Sequence, residues 1–253
     1  MIVIDIGNTN IVVGIYKRNK LKKVFRISTE KKIKKFNSKY ITFFSSIIKN
    51  IIESDGKVCI VSSVVPSLNQ HIKSYFKNFK FKFYLLNSKN IPFDLIINYK
   101  LNQIGSDRIA NFISIYQRGI KNCIIIDFGT ATTFDVIKNN EYSGGLIFPG
   151  IGLSLNSLIK NADLLKNVNI TKKGKIIARN TPSSIQSGFY FGYLYAINGI
   201  LKKIIQESKF KPKIFITGGL GKIFKDKINY NPIYNENLTL EGLKQIGNKI
   251  YGK

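Results

Sequence analysis

The sequence predicts an α/β protein made by duplication of one domain, and two observations carry that expectation. Ile2-Val3-Ile4-Asp5-Ile6-Gly7-Asn8-Thr9 opens the chain, and Ile124-Ile125-Ile126-Asp127-Phe128-Gly129-Thr130-Ala131 returns 127 − 5 = 122 residues later, near half of its 253 residues. Internal similarity at that spacing indicates two related halves, 1–118 and 119–253. Strand-like apolar runs also alternate with stretches of helical spacing along the chain.

Each copy of the repeat is a run of strand formers ending in Asp, one more apolar residue, then Gly and small polar groups. A second apolar stretch follows, Ile11 to Tyr16 in one copy and Thr133 to Ile137 in the other. This reads as a β-hairpin with its polar residues in the turn. Gly7 and Gly129 permit a close backbone approach. Turn N–H groups can cradle a phosphate, and Asp5 and Asp127 offer oxygens to a cation bridging phosphates. One Asp-x-Gly turn is ordinary; two suggest facing phosphate turns.

After the first hairpin, Phe36, Tyr40, Phe43, Phe44, Ile47, Ile48 and Ile51 recur at helical spacing and predict an amphipathic helix over Lys31 to Ile52. Val58 to Val61 reads as a buried strand. Ser62-Ser63-Val64-Val65-Pro66 then leads into a helix over Ser67 to Phe76, either as a Ser-capped βα turn or as a ligand contact. Phe81 to Leu86 is a further strand. Gly105-Ser106-Asp107-Arg108 opens a helix continuing through Ile109 to Gln117, and Asp107 suits the positive end of its dipole.

Beyond the second hairpin, Gly144-Gly145-Leu146-Ile147-Phe148-Pro149-Gly150-Ile151-Gly152 reads as a glycine-rich loop carrying function. A helix follows over Leu153 to Leu165. Thr181 before Pro182 has the form of an N-cap for a helix to about Glu207. Phe189, Tyr190, Phe191, Tyr193 and Tyr195 crowd that helix on more than one face, as core or subunit interface. Ile214 to Thr217 is a strand entering Gly218-Gly219-Leu220-Gly221, the form expected beside a nucleotide base or ribose. Leu238 to Tyr251 closes the chain as a helix.

The 44% hydrophobic content is ample for a core, and no apolar segment reaches membrane-spanning length. The N-terminus reads as a strand, not as a secretory signal. Cys59 and Cys123 lie in apolar runs and are expected to be buried, reduced thiols of a cytoplasmic protein. His71 is the sole histidine, so histidine-based metal chemistry is not expected. The net charge of +26 is spread through loops and helix faces, as at Lys17 to Lys23, Lys31 to Lys35 and Lys172 to Lys175. A nucleic-acid binder clusters such charge with stacking aromatics, so a solvated surface with no specific nucleic-acid partner is expected.

Five blocks together resemble the type III pantothenate kinase family: Asp5-Ile6-Gly7-Asn8-Thr9-Asn10, Gly105 to Arg108, Asp127-Phe128-Gly129-Thr130-Ala131-Thr132-Thr133, Gly144 to Ile151, and Thr181-Pro182-Ser183-Ser184-Ile185-Gln186-Ser187-Gly188. They stand in the family's order across most of the chain. The resemblance implies an acetate-and-sugar-kinase/Hsp70/actin-type fold, a duplicated ribonuclease-H-like architecture with the active site in the cleft. It implies phosphorylation of pantothenate by ATP to 4′-phosphopantothenate, the first step toward coenzyme A. A homodimer, Mg²⁺ and a monovalent cation, K⁺ or NH₄⁺, are implied with it.

Residue by residue, the resemblance assigns nucleotide binding to Asp5, Ile6, Gly7, Asn8, Thr9, Asn10, Ile11, Val12 and Thr130. Asp5 lies near Mg²⁺, Asp127 holds the monovalent cation, and Asp107 is the catalytic base. Tyr99, Gly105, Ser106, Asp107, Arg108 and Thr181 line the pantothenate site, Thr181 reaching across from the other subunit. Two departures stand out. Tyr99 is one residue closer to the Gly-x-Asp-Arg block than the family's tyrosine and has no proline in between. Ser106 stands where the family has a small apolar residue. The alternatives are another kinase or hydrolase of this superfamily, or a non-enzymatic nucleotide-binding regulator. Three retained carboxylates, Asp5, Asp107 and Asp127, argue for an enzyme.

Overall fold

A computed structural model describes residues 1–30, 37–49, 57–161 and 168–252. The chain forms two compact units. One is Met1–Gly119 together with the segment from Leu238 onward, and the other is Ile120–Asn237.

In the first unit, β1 (Ile2–Ile6), β2 (Asn10–Lys17) and β3 (Lys20–Ser28) form an antiparallel meander. Then α1 (Ser38–Ile48), β4 (Val58–Ser63), α2 (Pro66–Asn78) and β5 (Lys82–Leu85) follow. The strand order is β3-β2-β1-β4-β5, with β4 parallel to both β1 and β5. A two-residue strand, β6 (Ile96–Ile97), and one 3₁₀ turn lead to α3 (Ser106–Tyr116). Ile2, Ile4 and Ile6 alternate into a core with Tyr40, Phe44, Leu68, Ile72 and Phe76, the period-2 burial of a strand facing helices.

The second unit repeats this plan with β7 (Cys123–Phe128), β8 (Ala131–Lys138), β9 (Glu141–Pro149), α4 (Ile151–Lys160), α5 (Thr181–Ser208), β10 (Lys213–Thr217), α6 (Gly221–Phe224) and β11 (Ile233–Tyr234). The meander β9-β8-β7 continues through β10 and β11, the last two pairings parallel. Even small irregularities recur. Arg18-Asn19 and Asn139-Asn140 both take positive φ in the hairpin turn, and the pairing slips by one residue at Ile15/Tyr16 and again at Val136/Ile137.

Three elements differ from the sequence reading. Lys20, Lys22 and Lys23 sit in β3, an edge strand, and not in a loop; exposed lysines there discourage edge-to-edge pairing. Gly144 to Pro149 is strand β9, with Gly145 lying so close to β8 that a Cβ would fall 1.8 Å from the Phe134 carbonyl oxygen. The final helix, α7 (Leu238–Tyr251), belongs to the first unit and not to the half that precedes it. Its glycines explain this: at Gly242 a Cβ would stand 1.9 Å from Ala110 O of α3, so only glycine admits the approach. Leu238, Leu240, Leu243 and Ile246 are buried along the same helix. The helix expected over Lys31 to Ile52 is described only as α1, capped by Asn37 accepting from the Tyr40 N–H; residues 31–36 and 50–56 lie outside the described residues. The end of the helix expected over Leu153 to Leu165 lies outside them as well.

Candidate active site

In the first unit the polar turn between β1 and β2 is closed by the Gly7 N–H donating to Asn10 O at 3.0 Å. Thr29, the first residue after β3, clamps it from the side. Its hydroxyl donates to Gly7 O at 2.7 Å, and its N–H donates to Thr9 O at 2.9 Å. Asp5, Ile6, Gly7, Asn8, Thr9, Asn10, Ile11 and Val12 therefore form one continuous hairpin, with Asp5 opposite Val12. A turn of this type presents several N–H groups to one side, the requirement for binding phosphate oxygens.

Asp5 has a second neighbour across the sheet. It stands in register with Ser62 of β4, and the buried Ser62 hydroxyl donates to Asp5 Oδ1 at 2.5 Å. Burial pushes the Asp5 carboxyl up to about 7, and the charge of Asp107 adds to this; the Ser62 hydrogen bond and the Arg26 charge oppose it. The first unit thus brings Asp5 and Asp107 together, although 102 residues (107 − 5) separate them in sequence.

Asp107 lies in the first turn of α3, whose N-cap is Gly105. Its Oδ1 accepts from the Arg108 N–H at 2.8 Å. A Cβ at Gly105 would come within 2.3 Å of that oxygen, so a larger residue there would displace the Asp107 carboxylate. Burial raises the Asp107 carboxyl, while the Arg108 N–H, the Arg108 charge and its own N–H pull it down. Arg108 is itself buried, with its guanidinium 5.7 Å from the centre of the Tyr99 ring. Tyr99 and Arg108 thus meet despite the altered spacing. The Ser106 hydroxyl is engaged within the protein: it accepts from the Ser63 N–H at 2.8 Å and donates to Ser63 O at 3.1 Å.

In the second unit, Asp127 sits at the end of β7 opposite Thr133 of β8 and Thr217 of β10. The Gly129 N–H donates to Ala131 O at 3.1 Å and closes the turn that carries Thr130. Two glycines press on this turn. A Cβ at Gly150 would lie 2.0 Å from Thr130 O, and one at Gly218, where φ is +84°, would lie 2.6 Å from Asp127 Oδ1. Beneath, Phe128, Phe224 and Tyr190 stack in series with centroids 5.4 Å apart at each step. Thr181 is the exposed first residue of α5, and the cap is Asn180, whose Oδ1 accepts from the Ser183 N–H at 3.0 Å.

Among the described residues no three His, Cys, Asp or Glu side chains gather into a metal cage. Nucleotide-bound magnesium needs less, because one or two carboxylates and the phosphates themselves complete its oxygen shell. Asp5 with Asp107 is such a donor set. Asp127, with Gly218 packed closely against it, provides one carboxylate at a second and separate turn.

The residues missed from sequence are Ser62, Thr29 and Gly218. Ser62 and Ser63 read as a capped turn or a ligand contact, because their use depends on the register between β1 and β4. Gly218 lies in the turn expected beside a base or ribose, and its close packing on Asp127 is a further feature that the sequence did not announce.

A family model described as type III pantothenate kinase matches residues 1–203. A type III pantothenate kinase from Citrifermentans bemidjiense is 38% identical over 251 residues, covering 97% of this chain and 98% of that protein. Among solved structures, a Campylobacter jejuni protein assigned to the Baf family of transcriptional activators superimposes with a TM-score of 0.61 at 23% identity, covering 99% of this chain and 98% of that one. A ROK family glucokinase from Streptomyces griseus superimposes with a TM-score of 0.52 at 11% identity, covering 97% and 98%. At such identities the structural likenesses show the fold alone, the duplicated ribonuclease-H-like architecture of sugar kinases.

Proposed function

The chain belongs to the type III pantothenate kinase family, and for the reaction it catalyses we propose that Asp107 is the base, Asp5 a magnesium ligand and Asp127 the ligand of a monovalent cation. The reaction is transfer of the γ-phosphoryl group of ATP to pantothenate, giving 4′-phosphopantothenate at the start of coenzyme A biosynthesis. The gathering of Asp5, Asp107 and Arg108 in one unit carries the assignment of roles.

Phosphoryl transfer asks a protein for positioning and charge neutralisation more than for covalent chemistry. Asp107, held by the Arg108 N–H at the start of α3, orients the primary hydroxyl of pantothenate and accepts its proton. Its raised proton affinity suits that task, since a base must be basic enough to take the proton and still be ionised. Arg108 offers a planar fork to the pantothenate carboxylate, with the Tyr99 ring holding the guanidinium in place. Gly105 and Ser106 line the same site by backbone, the Ser106 hydroxyl being occupied by Ser63.

The residues Asp5 to Val12 and Thr130 bind the nucleotide, the turn N–H groups taking phosphate oxygens. Magnesium at Asp5 supplies positive charge against the phosphates. K⁺ or NH₄⁺ at Asp127 does the same at the second turn. Thr181 contacts pantothenate bound to the partner of a homodimer. Its exposure, and that of Leu153, Leu158, Ile176, Ile177 and Tyr195 in the same unit, supports such pairing. No helix among the described residues is long and apolar enough to cross a membrane, and a cytoplasmic location fits a biosynthetic kinase.

The test is to incubate the protein with ATP, Mg²⁺, K⁺ and pantothenate and to follow 4′-phosphopantothenate by mass, beside Asp107→Asn. The expected result is product from the wild type and a loss of about a thousandfold in turnover for the variant with ATP binding retained. No product from a wild type that binds ATP would overturn the acceptor, and full turnover of Asp107→Asn would overturn the base.

A further inference from the structure

The end of β4 reaches the Asp5 carboxylate directly and the helix that carries Asp107 through Ser106. Ser62 is fully buried, and its hydroxyl lies 2.5 Å from Asp5 Oδ1. The next residue, Ser63, is tied through its N–H and carbonyl to the Ser106 hydroxyl at 2.8 Å and 3.1 Å. Ser106 begins α3 and is followed by Asp107. One two-residue segment therefore grips Asp5 through a side chain and the start of the Asp107 helix through its backbone.

We propose that Ser62 is a positioning residue for catalysis: its hydroxyl holds Asp5 Oδ1 so that the other carboxylate oxygen meets the metal–nucleotide in one fixed direction. The inference rests on the proposed role of Asp5 and adds the residue that orients it. A carboxylate on a short side chain can rotate between several cation contacts, and a buried hydroxyl donor removes that freedom. The hydroxyl belongs to the strand interior and not to a mobile loop, because Ser62 is in parallel register with Asp5. The second unit repeats the placement: Thr217, buried, occupies the matching register position beside Asp127. Ser62 and Thr217 follow buried apolar residues in β4 and β10, and a hydroxyl residue beside the aspartate in both copies points to the aspartate as its reason.

Ser106 completes the arrangement. The family resemblance led to a small apolar residue there, and a hydroxyl at that point adds two hydrogen bonds from α3 to β4. The strand end becomes a strut holding Asp5 and Asp107 at one separation, which phosphoryl transfer requires of its metal ligand and its base.

The experiment compares wild type, Ser62→Ala, Ser62→Thr and Ser62→Cys. Two readouts are used: Mn²⁺ binding in the presence of a non-hydrolysable ATP analogue, followed by electron paramagnetic resonance, and the Mg²⁺ concentration for half-maximal rate. Ser62→Ala should weaken both about tenfold and lower kcat, with pantothenate KM within twofold of wild type and the melting temperature nearly unchanged. Ser62→Thr, which keeps the hydroxyl as Thr217 does, should restore metal binding. Ser62→Cys preserves volume with a weak donor and carries the test if the alanine variant does not fold; it should lie between. Metal binding and half-activation at wild-type values in Ser62→Ala, or in Ser62→Cys in its place, would overturn the inference and leave the pantothenate kinase reading standing. A wild type that binds Mn²⁺ and nucleotide, loses that binding in Ser62→Ala, and fails to phosphorylate pantothenate would do the reverse.

Discussion

The two polar turns share a strand plan, a register and an aspartate, yet they are built to different tightness. The first spans Gly7 to Asn10 between the paired Ile6 and Ile11, and the second spans Gly129 to Ala131 between Phe128 and Thr132, one residue shorter. Thr29 and Gly150 occupy the same place, immediately after the third strand of each meander. In the first unit that residue reaches in with a hydroxyl; in the second there is no room for any side chain. Asp5 shares its unit with Asp107, whereas Asp127 is packed against Gly218. A duplicated scaffold has thus diverged at the turn. One copy holds a carboxylate pair, to which we assign the divalent cation and the base, and the other a compact single-carboxylate turn.

The sharpest way to break this comparison is to replace each clamping residue by alanine. Gly150→Ala places a methyl 2.0 Å from the Thr130 carbonyl oxygen and should cost about 3 kcal/mol, an overpacking penalty, with a raised KM for ATP. Thr29→Ala removes one hydrogen bond to Gly7 O and should cost about 1 kcal/mol. Urea unfolding of both variants checks the ranking. Equal costs would show that the two turns are equally tight.

A smaller effect than that of Gly150→Ala comes from the protonation of Asp5. Asp5 ionises near 3.8 when unfolded and near 7 when folded, so between those values the folded state binds more protons. Stability of the metal-free protein from this group therefore falls as pH rises from about 4 to 7. The full shift corresponds to about 4 kcal/mol, and solvent at the partly exposed carboxylate reduces it to roughly 1–2 kcal/mol. Asp5→Asn should remove that slope and be the more stable protein at pH 7.5 without metal. Urea midpoints at pH 4.5 and 7.5 that run parallel for wild type and variant would contradict the assignment.

Much of this was legible in the sequence, because local chemistry specifies it. The Asp-x-Gly turns follow from strand formers meeting glycine, and the start of α3 follows from Gly105 and Asp107. What was not legible depends on pairing. Ser62 meets Asp5 through a parallel register across 57 residues, and nothing local to Ser62 announces that. The glycines of β9 suggested a loop, since a glycine forced by a neighbouring strand looks the same in sequence as one forced by a turn. The placement of α7 was hidden for the same reason: Gly242 reads as a weak point in a helix until Ala110 is seen against it. Asn180, not Thr181, caps α5, and the adjacent Pro182 suits either choice equally.

The most direct test of the divergence is a crossed titration of initial rate against Mg²⁺ and against K⁺ for wild type, Asp5→Asn and Asp127→Asn. Asp5→Asn should shift the Mg²⁺ curve by about tenfold or more and leave the K⁺ curve in place, and Asp127→Asn should do the opposite. Variants that shift both curves together, or an Asp127→Asn enzyme with an unchanged K⁺ curve, would contradict the divergence.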